Sequence, residues 1–404
     1  MSAGETVRVS GHIIDSLILA KILDTIVEAG ASYRLADLRV GTSHNDPSHA
    51  ELEITADDDD ALASLLAELH PHGVVPVHPA DAILEPAEGA GVLPEGFYST
   101  TNLPTAVRVD GRWIDVASPE MDCALVVDLN HGRARTEPMH RVRDGEMVVL
   151  GTQGVRVKAL EKPREPSPFQ FMNSEVSSEK PQALLTEEVA GRIRRAKRRG
   201  GRILAVCGPA VIHTGAALDV AALVRGGWID VLFAGNGFAT HDIEAALMGT
   251  SLGVSVRAGT SEEGAHANHL RTINRVRRWG SIKAGVESGE LTAGVMYECV
   301  SKDVPFVLAG SIRDDGPLPD VITDVVAAQD AMRANLHEVE IALMLASTLH
   351  AIAVGNLLRA SVETYCIDIN QAVVTKLADR GSHQALGIVT DVGLFIRELT
   401  ARLT

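Results

Sequence analysis

Aromatic residues are scarce, at 3% of the 404 positions, so any core has to be assembled from Val, Leu, Ile and Ala. Cysteine is scarce as well. Cys123, Cys207, Cys299 and Cys366 stand apart with no CxxC pair, which excludes a disulfide framework and a cysteine zinc site and fits reduced thiols in a cytoplasm. Positive charge is in deficit, with a formal net charge of −16, and this argues against nucleic acid or an anionic membrane as partner. The basic run RIRRAKRRGGR, Arg192 to Arg202, reads as a solvated helix end. No apolar run approaches the ~20 residues that a membrane helix needs. The N-terminus MSAGETVRVS lacks the basic-then-apolar layout of a signal peptide, so the expected location is cytoplasmic. Several catalytic signatures are missing too. There is no GxSxG elbow, no HExxH or clustered histidine set for a metal, and no GxGxxG.

What remains is an ordinary globular composition, 46% apolar and 22% charged, in a chain long enough for two or three domains. Residues 1–80 read as strand, helix, strand, strand, helix, strand, the order of a ferredoxin-like α+β unit, which small amino-acid-sensing modules share. Ser16 to Ala29 sets Ile18, Leu19, Ile22, Leu23 and Ile26 on one helical face, and Gly30 follows as a C-cap residue. His12, Asp15 and Asp46 fit either a ligand site or turn and cap roles. Residues 81–165 form a β-rich extension, with a hairpin predicted around Asp110-Gly111. Residues 166–182, within a stretch rich in proline and serine, read as an interdomain connection. From 183 to 404 short apolar strands alternate with helices, which implies a doubly wound parallel sheet. Val321 to Leu336 is read there as one helix.

Ligands of such sheets bind outside the carboxyl ends of the strands. Three of those ends carry small or polar residues that let a backbone approach a phosphate, at 234–237, 309–311 and 346–348. The segment Ser347-Thr348-Leu349-His350 opens a helix, and Asp368 closes the next strand about twenty residues on. That layout suits a dinucleotide whose ribose the acid would hydrogen-bond, favouring NAD over NADP. Asp368 fits equally as a strand-end cap, and His350 as a packed core histidine. Thr390 and Asp391 end a further apolar run and are candidates for the far side of the same crevice. The pair His241-Asp242 at a helix start suits acid–base work, with a cap role for Asp242 as the alternative. The loop Gly310 to Asp320 gathers Ser311, Arg313, Asp314, Asp315 and Asp320 behind a short apolar strand and is stiffened by Pro317 and Pro319.

The stretches NLPTAVRVDGRWIDV, MNSEVSSEKP, DVLFAGNGFATHDIEAALMGTSLGV, VPFVLAGSIRDDGPLPDVITDV, VGNLL and CIDIN resemble the archaeal-type ornithine cyclodeaminases. That family also forms the C-terminal part of bifunctional arginine dihydrolase/ornithine cyclodeaminase enzymes. The resemblance spans nearly the whole chain, except that the arginine dihydrolase domain is absent. It implies an N-terminal region of the lysine-ketoglutarate reductase/saccharopine dehydrogenase type and a Rossmann-type NAD-binding domain like that of deoxyhypusine synthase. No Lys in a matching loop is placed to carry that enzyme's covalent imine, so its reaction is not implied. What is implied is conversion of L-ornithine to L-proline and ammonia with recycled NAD, in a homo-oligomer (dimer or tetramer). The alternatives are an NAD-dependent dehydrogenase of a related amino acid and a non-catalytic amino-acid-binding regulator. Cofactor contacts transfer onto Asn236, Gly237, Asp315, Ser347, Thr348, Leu349, His350, Asp368, Thr390 and Asp391. Arg313 would meet the substrate carboxylate, and Asp320, then His241, would carry protons.

Overall fold

A computed structural model of the chain describes all residues except 1, 15, 43–45, 159–175, 178–181, 252–253, 256–267, 315 and 380–384. The chain divides into two compact units, Met1–Met172 with Arg359–Ser361, and Asn173–Leu358 with Val362–Thr404. Most of the connection expected at 166–182 lies outside the described residues, as does Asp15.

The first unit begins with the strand Ala3–Gly11, whose side chains alternate between a buried and a solvated face. It pairs antiparallel with Ser48–Ala56 on one side and Val75–Pro76 on the other, and Ser32–Arg39 pairs beyond Ser48–Ala56. This order and the helices Ile18–Glu28 and Asp59–Leu69 make the ferredoxin-like arrangement. The helices bury Leu19, Ile22 and Ile26, and Leu62, Leu65 and Leu69, against Val7, Val9, Leu52 and Ile54. Asp58 starts the second helix by accepting the Ala61 N–H at 2.8 Å. A seven-stranded sheet follows, built around the hairpin of Thr105–Val109 and Arg112–Ala117. Its turn residues Asp110 and Gly111 both have positive φ, 48° and 74°, as a type I′ turn requires. The strand Arg133–Glu137, RARTE, has too few apolar residues to announce itself and is identified by its pairing with Ala124–Asp128.

The second unit is an eight-stranded parallel sheet. Its spatial order is Val176–Ser177, Ala385–Val389, Glu363–Asp368, Val339–Leu345, Arg202–Cys207, Val231–Gly235, Phe306–Ala309, Val321–Ile322. From Arg202–Cys207 the chain moves outward strand by strand, then returns to Val339–Leu345 and moves outward the other way. The order therefore reverses between those two strands. The strands are buried on both faces. Ile203, Ala205 and Cys207 pack with helices Gln182–Arg198, Ala217–Arg225 and Val392–Leu403, while Leu204 and Val206 pack with Val325–Asn335 and Leu349–Leu357. The single helix expected over Val321 to Leu336 is corrected. Val321–Ile322 is an edge strand on Leu308–Ala309, and the helix starts only at Val325, where Asp324 accepts the N–H groups of Val326 and Ala327.

Much of the basic run is paired with acids. Arg192 meets Glu188 and Glu363, Arg194 meets Glu187, Lys197 meets Asp230 and Arg199 meets Glu340. Among the described residues no helix is long and apolar enough to cross a membrane.

Candidate active site

At the reversal of strand order two backbones touch. The Gly208 N–H donates to the Leu345 carbonyl at 2.9 Å, and a Cβ on Gly208 would lie 1.8 Å from the Ala346 carbonyl oxygen. Only glycine fits there. Ala346 itself has φ 46°, a left-handed conformation uncommon for a residue with a Cβ, and it donates its N–H to Ile367. One strand over, a Cβ on Gly235 would lie 2.9 Å from His350 Cε1, so the His350 imidazole lies across the end of strand Val231–Gly235. Burial lowers the pKa of His350, and Asp314 opposes that shift. The helices Asn236–Met248 and Leu349–Leu357 start here without any side chain capping their N–H groups. Asp58, Ser281, Asp324 and Asp391 cap other helices, while Ile18–Glu28, Ala210–His213 and Ala217–Arg225 also start without a side-chain cap. Uncapped helix starts beside close-packed glycine backbone favour an anion.

Asn236 ties this edge to the charged loop, its buried Oδ1 accepting the Leu318 N–H at 3.0 Å. Arg277 holds the same loop through the Pro317 carbonyl at 2.9 and 3.2 Å. Within the loop Asp314 accepts the Ser311 N–H and hydroxyl at 2.9 and 3.2 Å, while Ile312 and Arg313 are exposed. Asp320, the first choice for proton transfer, accepts the Ile282 N–H at 2.9 Å and so helps cap the helix Ile282–Glu287. Its pKa is raised by burial, with that N–H pulling it down. Asp315 lies outside the described residues. Ser347 is buried, Thr348 and Leu349 are exposed, and Gly237 meets Pro209 at the helix start. Asp368 is buried at its strand end and accepts the Asn370 N–H, while its carbonyl accepts the N–H of Thr390. Asp391 caps the helix Val392–Leu403 through the Leu394 N–H.

Beside this edge lies a polar cluster that the linear pattern reveals only in part. His241 Nδ1 is 2.9 Å from Glu244 Oε2, and Glu244 Oε1 accepts from Thr250 Oγ1 at 2.9 Å. Asn268 donates to Thr250 at 2.9 Å, and His213 Nδ1 is 2.7 Å from Ser251 Oγ. The rings of His213 and His269 lie 4.9 and 6.4 Å from that of His241. Glu244 is wholly buried, whereas His213 is exposed, so the cluster runs from solvent into the fold. Its signal in the sequence is the pair His241-x-x-Glu244, which shares one helix face. His213, Thr250, Ser251, Asn268 and His269 carry no such mark. Asp242 points the other way and caps the helix Val295–Ser301, accepting the N–H groups of Val295 and Met296 at 2.9 and 2.8 Å. Burial pushes its pKa up to about 6 against the pull of those two donors.

The residues fit a dinucleotide. The uncapped helix starts and bare glycine backbone suit a pyrophosphate, Asp368 stands at the end of the next strand, and Leu349, Ile312 and Ile369 offer exposed apolar surface at the same strand ends. Residues 187–399 match the family described as Arginine dihydrolase ArgZ-like, C-terminal, Rossmann fold. Residues 4–103 match the LOR/SDH bifunctional enzyme conserved region, and 104–186 the ArgZ-like C-terminal first region. The ornithine cyclodeaminase of Methanopyrus kandleri is 52% identical over 400 residues, covering 99% of this chain and 97% of that protein. The bifunctional arginine dihydrolase/ornithine cyclodeaminase AgrE of Nostoc sp. is 43% identical over 98% of this chain and 58% of its own length. Among solved structures, a LOR/SDH protein of Methanococcus maripaludis superposes with a TM-score of 0.76 at 48% identity, covering 80% of this chain and 98% of that one. AgrE in a ternary complex with ornithine and NAD+ matches with a TM-score of 0.54 at 41% identity, covering 100% of this chain and 57% of its own. With identity of this order along its whole length, the chain belongs to the ornithine cyclodeaminase family whose members also form the C-terminal part of AgrE and ArgZ.

Proposed function

We propose that this chain is an NAD-dependent ornithine cyclodeaminase, a lyase that converts L-ornithine to L-proline and ammonia and so serves proline formation from ornithine. The observation that carries the reading is a Rossmann-fold unit with uncapped helix starts at and one strand beside its strand-order reversal, in a chain 52% identical end to end to a cyclodeaminase. When bound, NAD supplies a reversible two-electron oxidation at the carbon that bears the α-amine. Asn236, Gly237, Ser347 to His350, Asp368, Thr390 and Asp391 are the residues proposed to hold it, together with Asp315. Asp368 would select the ribose hydroxyl of NAD, and the backbone at 208 and 235 would admit the phosphates.

Substrate recognition falls to the loop from Gly310 to Asp320. The Arg313 guanidinium is exposed at its tip for a carboxylate, and Asp314 stands one residue on to oppose a substrate ammonium. Pro317 and its Arg277 clamp limit the loop's freedom, which favours a fixed pose of both charges. A cytoplasmic homo-oligomer completes the proposal; four cysteines, all buried, suit a reducing compartment. The test is direct. Pure protein given L-ornithine and NAD should release proline and ammonia in equal amounts, and no proline across pH 6–9 would sink the reading.

A further inference from the structure

Ornithine on one side, and proline with ammonium on the other, carry the same protons, so every proton that a side chain removes must be given back. The δ-ammonium has to lose a proton before its nitrogen can bond to Cα, and the α-nitrogen has to gain one to leave as ammonia. One group able to do both at neutral pH suffices, and imidazole is the side chain suited to it. Its geometry needs a partner that fixes the tautomer and steadies the cation, with the other ring nitrogen left to the substrate.

We propose that His241 is that group, with Glu244 and His213 as its positioning residues. His241 takes the proton from the δ-ammonium. With Cα at the imine level after loss of its hydride, the δ-nitrogen adds to Cα and passes its protons by way of His241 to the α-nitrogen; the bond from Cα to that nitrogen then breaks to release ammonia, and return of hydride to Cα gives proline. Glu244 sits at 2.9 Å from Nδ1, is wholly buried and is itself held by Thr250, so it fixes the ring and stabilises its protonated form. His213 approaches from the short helix Ala210–His213 with ring centroids 4.9 Å apart, where two positive charges would repel. From the helix Asn268–Trp279, His269 faces the same ring at 6.4 Å, while Arg271 is engaged by Asn268 at 3.0 Å. The pKa of His213 is lowered by burial and by His241 beside it, as expected for two imidazoles that resist sharing two charges. Asp320 instead sets one carboxylate oxygen on a helix start, where it accepts the Ile282 N–H.

This inference rests on the cyclodeaminase reading, and its test separates the two. The full chain with saturating NAD is assayed for proline from ornithine between pH 5.5 and 9.5, and bound NAD is measured for each variant. H241Q should lose on the order of a hundredfold or more in kcat while retaining NAD. E244Q should move the acidic limb of the kcat profile to lower pH, and H213Q should move it to higher pH, by roughly half a unit or more each. Opposite shifts of one limb are not produced by loosened packing. H241Q within threefold of wild type, or losing turnover and NAD together, would overturn the proposal, as would limbs unmoved in both other variants. Wild type that makes no proline would instead overturn the cyclodeaminase reading.

Discussion

Among imidazoles and carboxylates of the described residues, the first unit buries one, His70, while the second buries His241, Asp242, Glu244, Glu298 and Asp368. The contrast follows from sheet type. In the first unit the antiparallel strands keep one face in water, so charges settle into exposed pairs such as Arg8 with Glu51 and Arg34 with Glu53, each worth well under ~1 kcal/mol. In the second unit both faces of the parallel sheet are covered, and polar groups brought inside have to be held by backbone or by one another. Asp242 and Glu244 are held in this way, and the same constraint gathers reactive groups at the strand ends.

That comparison can be broken most forcefully at Gly208. Alanine there sets a Cβ 1.8 Å from the Ala346 carbonyl, so G208A should destabilise the second unit by roughly 4 kcal/mol and abolish NAD retention. Calorimetry should show the thermal transition of the first unit unmoved.

The next effect is a pair of opposite pH dependences. Burial lowers the pKa of His70 to about 4, so the stability tied to its neutral form is present above its unfolded value and is lost as pH falls toward 4. Burial raises the pKa of Asp242 to about 6, so the stability tied to its protonated form is full below its unfolded value and is lost as pH rises toward 6. Each is on the order of 3 kcal/mol. Urea unfolding between pH 4 and 7 should therefore show the two units changing in opposite senses, with H70Q flattening one slope and D242N the other.

Smaller effects belong to the site alone. D368N should weaken NAD binding by about tenfold, ~1.4 kcal/mol, at unchanged stability of the first unit, as read by fluorescence titration. R313A should raise the KM for ornithine by roughly fivefold to tenfold with kcat within twofold, because an exposed guanidinium contributes to binding more than to the chemical step.

Much of this was legible in the chain. Period-two alternation, the Asp110-Gly111 turn and the apolar stripe at Ile18, Ile22 and Ile26 each follow from local sequence, and so does the repeated strand-then-helix order after residue 183. The strand Val321–Ile322 was not legible, since only Thr323 and the Asp324 cap separate two apolar residues from a helix. Of the proposed site residues, the small ones at the strand ends and Asp368 are marked by spacing alone. The clash that makes Gly208 obligatory depends on backbone 138 residues away, at Ala346. The histidine cluster joins three helices whose members are far apart in sequence, and only the helical spacing of His241 and Glu244 marks it. Asp320 stands out through its loop, and one of its carboxylate oxygens accepts the N–H of Ile282, a contact that distance along the chain conceals.

The central claim is that the δ-nitrogen of ornithine replaces the α-nitrogen at Cα without net oxidation. The measurement that tests it follows ornithine labelled with nitrogen-15 at the δ position only, incubated with the pure protein and NAD, while reduced cofactor is monitored. The account predicts that the label is retained in proline, that the ammonia is unlabelled, and that reduced cofactor never exceeds the enzyme concentration. Labelled ammonia, or reduced cofactor rising in step with turnover, would contradict it.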